Sequence, residues 1–301
     1  LQLIEKAGME LLDGKLLARQ VKDELAKETA AQIAAGGKVP HLAAVLVGDN
    51  PASQVYVRNK VRSCEQVGFQ STLIKKTADI SEEELLQIIH ELNHDDGVDG
   101  FIVQLPLPAH LDEEKITLAI NPAKDVDGFH PVNIGRMTLG LPCYLPATPC
   151  GIIEMLKRYK IPTSGKEVVV VGRSNIVGTP ISILLSRKSE VGNATVTLCH
   201  SRTENLADHT RRADILIASI GHPNTITADM VKEGVVVIDV GINRIDDPEA
   251  ARGYRLVGDV DFDGVSSKAS YITPVPGGVG QMTVVSLLMN TLSASQNAIY
   301  G

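Results

Sequence analysis

The sequence predicts an α/β fold of two domains, each built on a parallel sheet covered by helices. Strand and helix signals alternate along almost the whole chain of 301 residues, the pattern of parallel strands joined by crossover helices. A stretch rich in Gly and Pro at 121–149 interrupts the alternation. A second alternating series then starts on the four valines Val168–Val171.

In the first series, Leu16 to about Ile33 has helical apolar spacing. Leu42–Val47 is a short apolar run stopped by Gly48-Asp49, a strand and its turn. Ser53–Val67 returns to helical spacing, with Val57, Val61 and Cys64 on one face. Phe69–Lys75 reads as a strand, and Ser81-Glu82-Glu83-Glu84 has capping-box form before the stripe Leu85, Ile88, Ile89 and Leu92. Phe101–Leu105 is a third strand, stopped by Pro106 and Pro108, and Glu113–Ile120 a further helix. Residues 121–149 read as irregular.

The second series has strands at Val168–Val171, Ala194–Cys199, Ile215–Ser219 and Val235–Val240, with helices between the first two and after Glu204. That order is the one of a Rossmann-like, dinucleotide-binding domain. A Gly-rich turn after Pro276 leads into a final helix, Val284–Ile299. The expected boundaries are residues 9–149 for an N-terminal α/β domain, 150–280 for the Rossmann-like domain, and 281–301 for a C-terminal helix packing back on the first domain. Residues 1–8, ahead of Met9, are set aside as an extension.

Composition narrows the function classes. Apolar residues are 44% and charged residues 22%, as in ordinary globular proteins, and the formal charge is −7 with no Trp. There is no basic block interleaved with aromatics, so no nucleic-acid partner is expected, although a local basic pocket for an anion is compatible. No apolar run approaches the roughly 20 residues of a membrane span, and the N-terminus lacks the charge-then-apolar order of a signal peptide. The four cysteines, Cys64, Cys143, Cys150 and Cys199, form no C-x-x-C pair. They read as free thiols in a reducing compartment, without zinc or disulfides.

Val168–Pro180 (VVVVGRSNIVGTP) runs a strand into Gly172, and Gly178 opens the next helix. Backbone N–H groups and a helix N-terminus there suit a phosphate. The spacing is not G-x-G-x-x-G, and a tight turn that simply needs Gly is the alternative. The next strand ends Cys199-His200-Ser201-Arg202-Thr203. NAD sites carry an acid at that place for the ribose 2′-hydroxyl. Here Ser201 can donate, and Arg202 and Arg173 can bring positive charge to a 2′-phosphate; a solvated loop with an incidental Arg is the bland reading.

Tyr56 and Lys60 stand at i and i+4 of one helix and share a face. Tyr offers a ring and a hydroxyl, and a buried lysine amine can enter acid/base chemistry, yet a Tyr and a Lys on a helix are more often solvated. Gln104, in Val103-Gln104-Leu105-Pro106-Leu107, ends a parallel strand, where ligands bind; a satisfied core amide fits as well. Asp125-Val126-Asp127-Gly128 lacks the further ligands of a metal site. One of its carboxylates could grip a ring bearing adjacent N–H donors, and an Asx turn is the alternative. Thr273-Pro274-Val275-Pro276-Gly277-Gly278-Val279-Gly280 is rigid and then open, so a ligand can approach its main chain closely.

Together these segments resemble the bifunctional methylenetetrahydrofolate dehydrogenase/methenyltetrahydrofolate cyclohydrolase family, from about Leu11 to Leu292. The carriers are Tyr56-x-x-x-Lys60, Val103–Leu107, Lys124–Gly128, Gly172-Arg173-Ser174, His200-Ser201 and Pro274–Gly280, in that order. The resemblance implies that Tyr56 stacks on the aminobenzoyl part of the folate, Lys60 is the central catalytic group, Gln104 orients it, and Asp127, not Asp125, grips the pterin. It implies a folate border of Val103, Leu105, Pro276, Gly277, Gly278, Val279, Gly280 and Thr283. The NADP site would comprise Gly172, Arg173, Ser174, Ser201 and Ile242, with Arg202 added from the charge argument above. It also implies a homodimer.

Two departures stand out. Gln281 stands where the family commonly has Pro, and Ala147 where Cys often precedes Thr-Pro. Pro at the first helical position would preset the entry angle; Gln281 loosens that constraint and restores a backbone N–H, and the sequence leaves the loop's mobility, and with it folate affinity, open. The expected activity is NADP-dependent oxidation of 5,10-methylenetetrahydrofolate followed by hydrolysis to the 10-formyl form, in the cytoplasm. The alternatives are a monofunctional folate dehydrogenase, an amino-acid or shikimate-type dehydrogenase, and a non-catalytic nucleotide sensor.

Overall fold

A computed structural model describes residues 8–250 and 253–300 of the chain; residues 1–7, most of the stretch set aside above, lie outside the described residues. The chain forms two compact units. The first comprises Ala18–Ala147 and the chain from Val284 onward; the second comprises Thr148–Thr283 with the N-terminal stretch up to Leu17.

The first unit is built on a three-stranded parallel sheet. Its strands are β2 (His41–Val47), β3 (Gln70–Lys76) and β4 (Gly100–Val103), in the order β3-β2-β4. The second unit contributes the chain's first strand, β1 (Glu10–Leu11), described below. Leu42–Val47 of β2 are all buried, as a near-continuous apolar run in a covered parallel sheet requires. Around the sheet lie α1 (Gly14–Ala34), α2 (Pro51–Val67), α3 (Glu82–His94), α4 (Glu113–Ala119) and α5 (Pro131–Leu139). Helix α2 starts where Asn50 accepts from the backbone N–H groups of Ala52 and Ser53, with Pro51 in its first turn, and it ends at Gly68 in the left-handed conformation. Ser81 caps α3 by accepting from Glu84 N–H, as the capping-box reading expected.

Two parts of the sequence reading change here. The stretch 121–149, expected to be irregular, holds α5 and the start of α6 (Ala147–Arg158). Helix α5 has its own signals, Pro131 in the first turn after a His130 cap and a left-handed Gly140 at the end. The third strand stops at Val103, so Gln104 and Leu105 lie just beyond its carboxyl end.

The second unit carries a six-stranded parallel sheet. To β1 it adds β5 (Glu167–Val171), β6 (Thr195–Cys199), β7 (Ile215–Ala218), β8 (Val236–Asp239) and β11 (Tyr271–Ile272), in the order β6-β5-β7-β8-β11-β1. Helices α7 (Gly178–Ser186) and α8 (Leu206–Thr210) follow β5 and β6. The chain leaves β5 for β6 on one side and returns to β7 on the other, so β5 ends at the topological switch point where doubly wound sheets bind ligands. An antiparallel ribbon of β9 (Asn243–Asp246) and β10 (Tyr254–Val257) and the short α9 (Phe262–Val265) complete the unit.

Because β1 pairs with β11, residues 10 and 11 are strands of this second sheet, although the sequence reading placed them with the first domain. The final helix, α10 (Val279–Ser295), starts earlier than the expected Val284. Its C-terminal part belongs to the first unit, where Gln296 donates to Glu28 at 3.1 Å and Gln32 donates to Ser295 at 3.1 Å. The predicted return of the last helix to the first domain therefore stands.

Candidate active site

On the first unit, the loop after central strand β2 leads directly into α2, which carries Tyr56 and Lys60 at i and i+4. Lys60 is on the buried face of α2 and only 7% exposed. Its Nζ donates to Gln104 Oε1 at 3.3 Å. Gln104 follows β4, and its own N–H donates to Val45 O at 2.9 Å, tying it to the central strand. Its side-chain Nε2 donates to Leu105 O at 2.7 Å. A carbonyl can only accept, so the amide must turn its oxygen toward the lysine. Lys60 is thus not solvated, and Gln104 divides its amide between the lysine and Leu105 O.

Tyr56 is half-buried one turn ahead of Lys60, and burial pushes its hydroxyl pKa up. It therefore stays a neutral ring with a donor, as stacking requires. Val103 is buried in the apolar core and Leu105 packs against it. Of the two, Val103 can offer a ligand only main chain.

The two carboxylates differ sharply. The segment after Lys124 runs alongside β4, with Phe101 bridged to Asp125 and Phe101 N–H donating to Lys124 O at 3.0 Å. Asp127 follows two residues later, in the turn that closes on Gly128, whose N–H donates to Asp125 O at 3.1 Å. Asp125 is 2% exposed. Its Oδ2 accepts from His130 N–H at 2.8 Å and from Asn133 Nδ2 at 2.9 Å. Burial pushes its pKa up to about 6 despite those bonds. Asp127 is half-buried, and among the described residues its carboxylate makes no hydrogen bond or ion pair. Asp125 is committed to the protein and Asp127 is open to a ligand. Gly128 has φ +75°, and a Cβ there would meet Leu145 C and Pro146 N at 2.6 Å, so the turn after Asp127 requires glycine. Lys124 donates to Leu92 O and Asp95 O at the end of α3, which accounts for its place in the motif without chemistry.

On the second unit, Gly172 sits at the switch point with φ +118°, and a Cβ would lie 1.9 Å from Ser219 O. Its N–H donates to Cys199 O at 2.8 Å, which places Arg173 beside the end of β6. A Cβ on Gly178 would lie 1.9 Å from Gly172 O, so both glycines are set by close backbone approach. Ser174 Oγ accepts from Val177 N–H at 3.2 Å and caps the entry to α7. Among the described residues the backbone N–H groups of Arg173–Ile176 have no acceptor, and these four residues are exposed. Four open donors fit a pyrophosphate. Arg173, Ser201 and Arg202 are exposed, and neither guanidinium is paired among the described residues. No acid lies between Cys199 and Glu204, so the residues present fit a 2′-phosphorylated dinucleotide.

Ile242 is 44% exposed, and its Cδ1 lies 3.3 Å from where a Cβ of Gly280 would stand. The structure thus brings a predicted nucleotide residue against a predicted folate residue on this unit. Pro276 is exposed and Gly277 has φ +116°. Gly278 is buried and pressed on: a Cβ of Gly14 would lie 2.1 Å from Gly278 O. Val279, Gly280 and Thr283, expected in or next to an open loop, lie in the first turns of α10. Val279 is buried, and the half-buried Thr283 has its hydroxyl 3.0 Å from that of Thr148.

Sequence reading missed two acids that shape this end of the sheet. Asp239, at the end of β8, is 4% exposed. It accepts from Gly241 N–H at 2.9 Å, Asp259 N–H at 3.0 Å and Val260 N–H at 3.0 Å, and burial pushes its pKa up to about 6. Asp259 is fully buried and accepts from Ile220, Gly221 and His222 N–H and from Asn243 Nδ2, at 2.5 to 3.1 Å. Between them they fix the segment that carries Ile242. The available signal was an acid inside or ending an apolar run, Val237-Ile238-Asp239-Val240 and Gly258-Asp259-Val260, which must find donors if buried.

Comparison with known proteins gives the same picture along the chain. The tetrahydrofolate dehydrogenase/cyclohydrolase catalytic-domain profile matches residues 12–127. The profile of that family's NAD(P)-binding domain matches residues 146–299. The bifunctional protein FolD of Flavobacterium johnsoniae is 61% identical over 286 residues, covering 95% of this chain and 97% of the relative. That of Bacteroides fragilis is 58% identical over 292 residues, covering 97% and 100%. Among solved structures, the bifunctional FolD methylenetetrahydrofolate dehydrogenase/cyclohydrolase of Campylobacter jejuni superposes with TM-score 0.90 at 48% identity, covering 96% of this chain and 99% of that one. The Trypanosoma brucei methylenetetrahydrofolate dehydrogenase-cyclohydrolase, solved with NADP cofactor and inhibitor, gives TM-score 0.91 at 36% identity, covering 97% and 99%.

Proposed function

The chain belongs to the tetrahydrofolate dehydrogenase/cyclohydrolase family, and we propose that Lys60 and Gln104 on the first unit and the Gly172–Ser174 loop on the second divide the work of its two reactions. The enzyme oxidises 5,10-methylenetetrahydrofolate to the 5,10-methenyl form with NADP and hydrolyses that product to 10-formyltetrahydrofolate. The relatives' names carry both activities, and the buried Lys60–Gln104 pair is retained, so the monofunctional alternative has no support.

In the first reaction hydride leaves the one-carbon bridge, and the lone pairs of the two flanking folate nitrogens stabilise the cation that remains. NADP, when bound, would supply the acceptor for that hydride. The open N–H donors of Arg173–Ile176 would hold its pyrophosphate, and Arg173, Ser201 and Arg202 its 2′-phosphate. The protein's part is alignment. Tyr56 stacks on the aminobenzoyl ring, and Asp127 accepts from the pterin's adjacent N–H donors.

In the second reaction water attacks the methenyl carbon and the ring opens. Lys60 Nζ handles protons and polarises the groups at that carbon. One observation carries this assignment: a buried amine held at 3.3 Å by a neutral amide whose orientation is itself fixed. An amide orients the amine without the opposite charge that a carboxylate would set against it. The test is Lys60→Met, which keeps the stem and removes the amine. Methenyltetrahydrofolate hydrolysis should fall roughly 10²–10⁴-fold, the usual contribution of a proton-transferring group, with the circular dichroism spectrum unchanged. Near-normal hydrolysis in the folded variant removes Lys60 from the mechanism.

The protein works as a cytoplasmic homodimer that supplies 10-formyl units to formyl-transfer chemistry such as purine ring synthesis. Four cysteines without a C-x-x-C spacing support a reducing compartment, and the family resemblance supports the dimer. Light scattering on the eluting protein tests the latter. Among the described residues no helix is long and apolar enough to cross a membrane.

A further inference from the structure

Helix α10 is apolar on nearly every side in Leu287-Leu288-Met289-Asn290-Thr291-Leu292. An asparagine inside such a helix needs partners, because burying an unpaired amide is costly. Asn290 is 8% exposed. Its Nδ2 donates to two backbone carbonyls, Val126 O at 2.8 Å and Leu145 O at 3.0 Å. Val126 is the residue between the two carboxylates, and among the described residues neither carbonyl has another donor. Leu145 is itself the residue whose carbonyl carbon presses on Gly128, the residue after Asp127. Asp127's own carbonyl accepts from Ala147 N–H at 3.2 Å. The backbone on each side of Asp127 is therefore fastened while its carboxylate is left open.

A second tie reaches the same segment from the end of the chain. Tyr300 donates its hydroxyl to Asn133 Oδ1 at 2.7 Å, and Asn133, fully buried, donates to Asp125 Oδ2 at 2.9 Å. The Tyr300 ring rests on Tyr144 and under Arg136.

We propose that Asn290 is a positioning residue for folate binding: it bridges Val126 O and Leu145 O and so aims the Asp127 carboxylate, with Tyr300 supporting the same segment through Asn133 and Asp125. The inference rests on the reading of Asp127 as the group that grips the pterin. A misaimed carboxylate loses the substrate and leaves the nucleotide alone, because the nucleotide residues named above lie on the other unit.

The experiment is a double-mutant cycle on the full-length enzyme, with KM for methylenetetrahydrofolate and for NADP measured in each variant. Asn290→Leu keeps the shape and removes both donors. It should raise the folate KM about tenfold, the loss of one well-aimed charge-assisted hydrogen bond, and leave the NADP KM within about twofold. Asp127→Ala should raise the folate KM by at least as much. In the double variant the folate KM should match that of Asp127→Ala within about twofold, since there is no carboxylate left to aim. Tyr300→Phe, which keeps the ring and removes only the hydroxyl, should raise the folate KM about two- to threefold and serves if Asn290→Leu does not fold. Additive effects in the double variant, or a parallel rise in the NADP KM, overturn the positioning role. An unchanged folate KM in Asn290→Leu, or in Tyr300→Phe where only that variant folds, overturns it as well. An unchanged folate KM in Asp127→Ala instead overturns the underlying reading of Asp127.

Discussion

Asp125→Asn should make the protein's stability respond to pH in a way that isolates one buried charge. The ordinary pKa of 3.8 is pushed up to about 6 in the fold, chiefly by burial. The folded state thus holds this proton more tightly than the unfolded chain. Its contribution is fully present below about pH 4 and is lost as pH rises through 6. A shift of about two units is worth roughly 3 kcal/mol at 1.36 kcal/mol each. An asparagine cannot ionise, so the variant escapes that loss. It can also keep the two bonds, because His130 N–H and Asn133 Nδ2 both meet the same oxygen, Oδ2. Urea unfolding of both proteins at pH 4 and pH 7.5 should show the variant gaining about 3 kcal/mol on wild type between the two. A difference that stays flat within about 1 kcal/mol would refute the buried-charge argument. Folate affinity provides the contrast. Asp127→Ala should weaken it by roughly one to two decades, the worth of a hydrogen bond to a charged group, and Asp125→Asn should leave it within about threefold; an equal loss in both would mean the wrong carboxylate has been assigned.

Two further outcomes follow from the nucleotide loop. NADP should exceed NAD by at least about tenfold in kcat/KM, about 1.4 kcal/mol, measured at one folate concentration and low phosphate. Arg173→Ala should erode that ratio through the NADP KM and Ser201→Ala should do so more weakly, whereas a wild-type ratio favouring NAD overturns the reading of the β6 end. Gly172→Ala should cost about 3 kcal/mol or more, or abolish NADP binding, because its Cβ would lie 1.9 Å from Ser219 O at a φ of +118°; a thermal melt at near wild-type temperature with normal NADP titration would contradict the geometry.

The elements that sequence revealed are those whose pattern is long enough to have a period. The buried runs of β2 and β5 and the capped stripe of α3 declare themselves within a few residues of their observed bounds. Strands β1 and β11 are two residues each, too short for any alternation, and they exist only because each has a partner far along the chain. That is why residues 10 and 11 were placed with the wrong sheet. Helix α5 had a start and a stop in Pro131 and Gly140, but in a Gly- and Pro-rich stretch those same residues also announce a loop. At the site, residue type and spacing brought Lys60 to Gln104 and favoured Asp127 over Asp125 only with the family resemblance behind them. The structure adds the physical reason for the second choice, since one carboxylate is consumed by His130 and Asn133 and the other is open. Asp259 and Asn290 escaped notice because each bonds to backbone from a distant segment, and backbone carries no residue type to read.

The departure at Gln281 shows how a local inference can change meaning once its position is known. Read as the first helical residue, a glutamine in place of proline would free the entry angle of the helix and loosen the loop before it. Helix α10 instead begins at Val279, so Gln281 is the third helical residue. Its N–H donates to Gly278 O at 3.2 Å, a short-range bond that proline could not make. The side chain is exposed and adds no packing. The segment ahead of it is held by other means on the same unit. Lys15 N–H donates to Gly277 O at 3.0 Å, the start of α1 presses on Gly278 O, and the Thr148 and Thr283 hydroxyls meet at 3.0 Å. None of these contacts depends on the residue at 281. The loop ahead of Gln281 is therefore held by hydrogen bonds from both sides, and its path does not rest on the φ restriction that a proline would add.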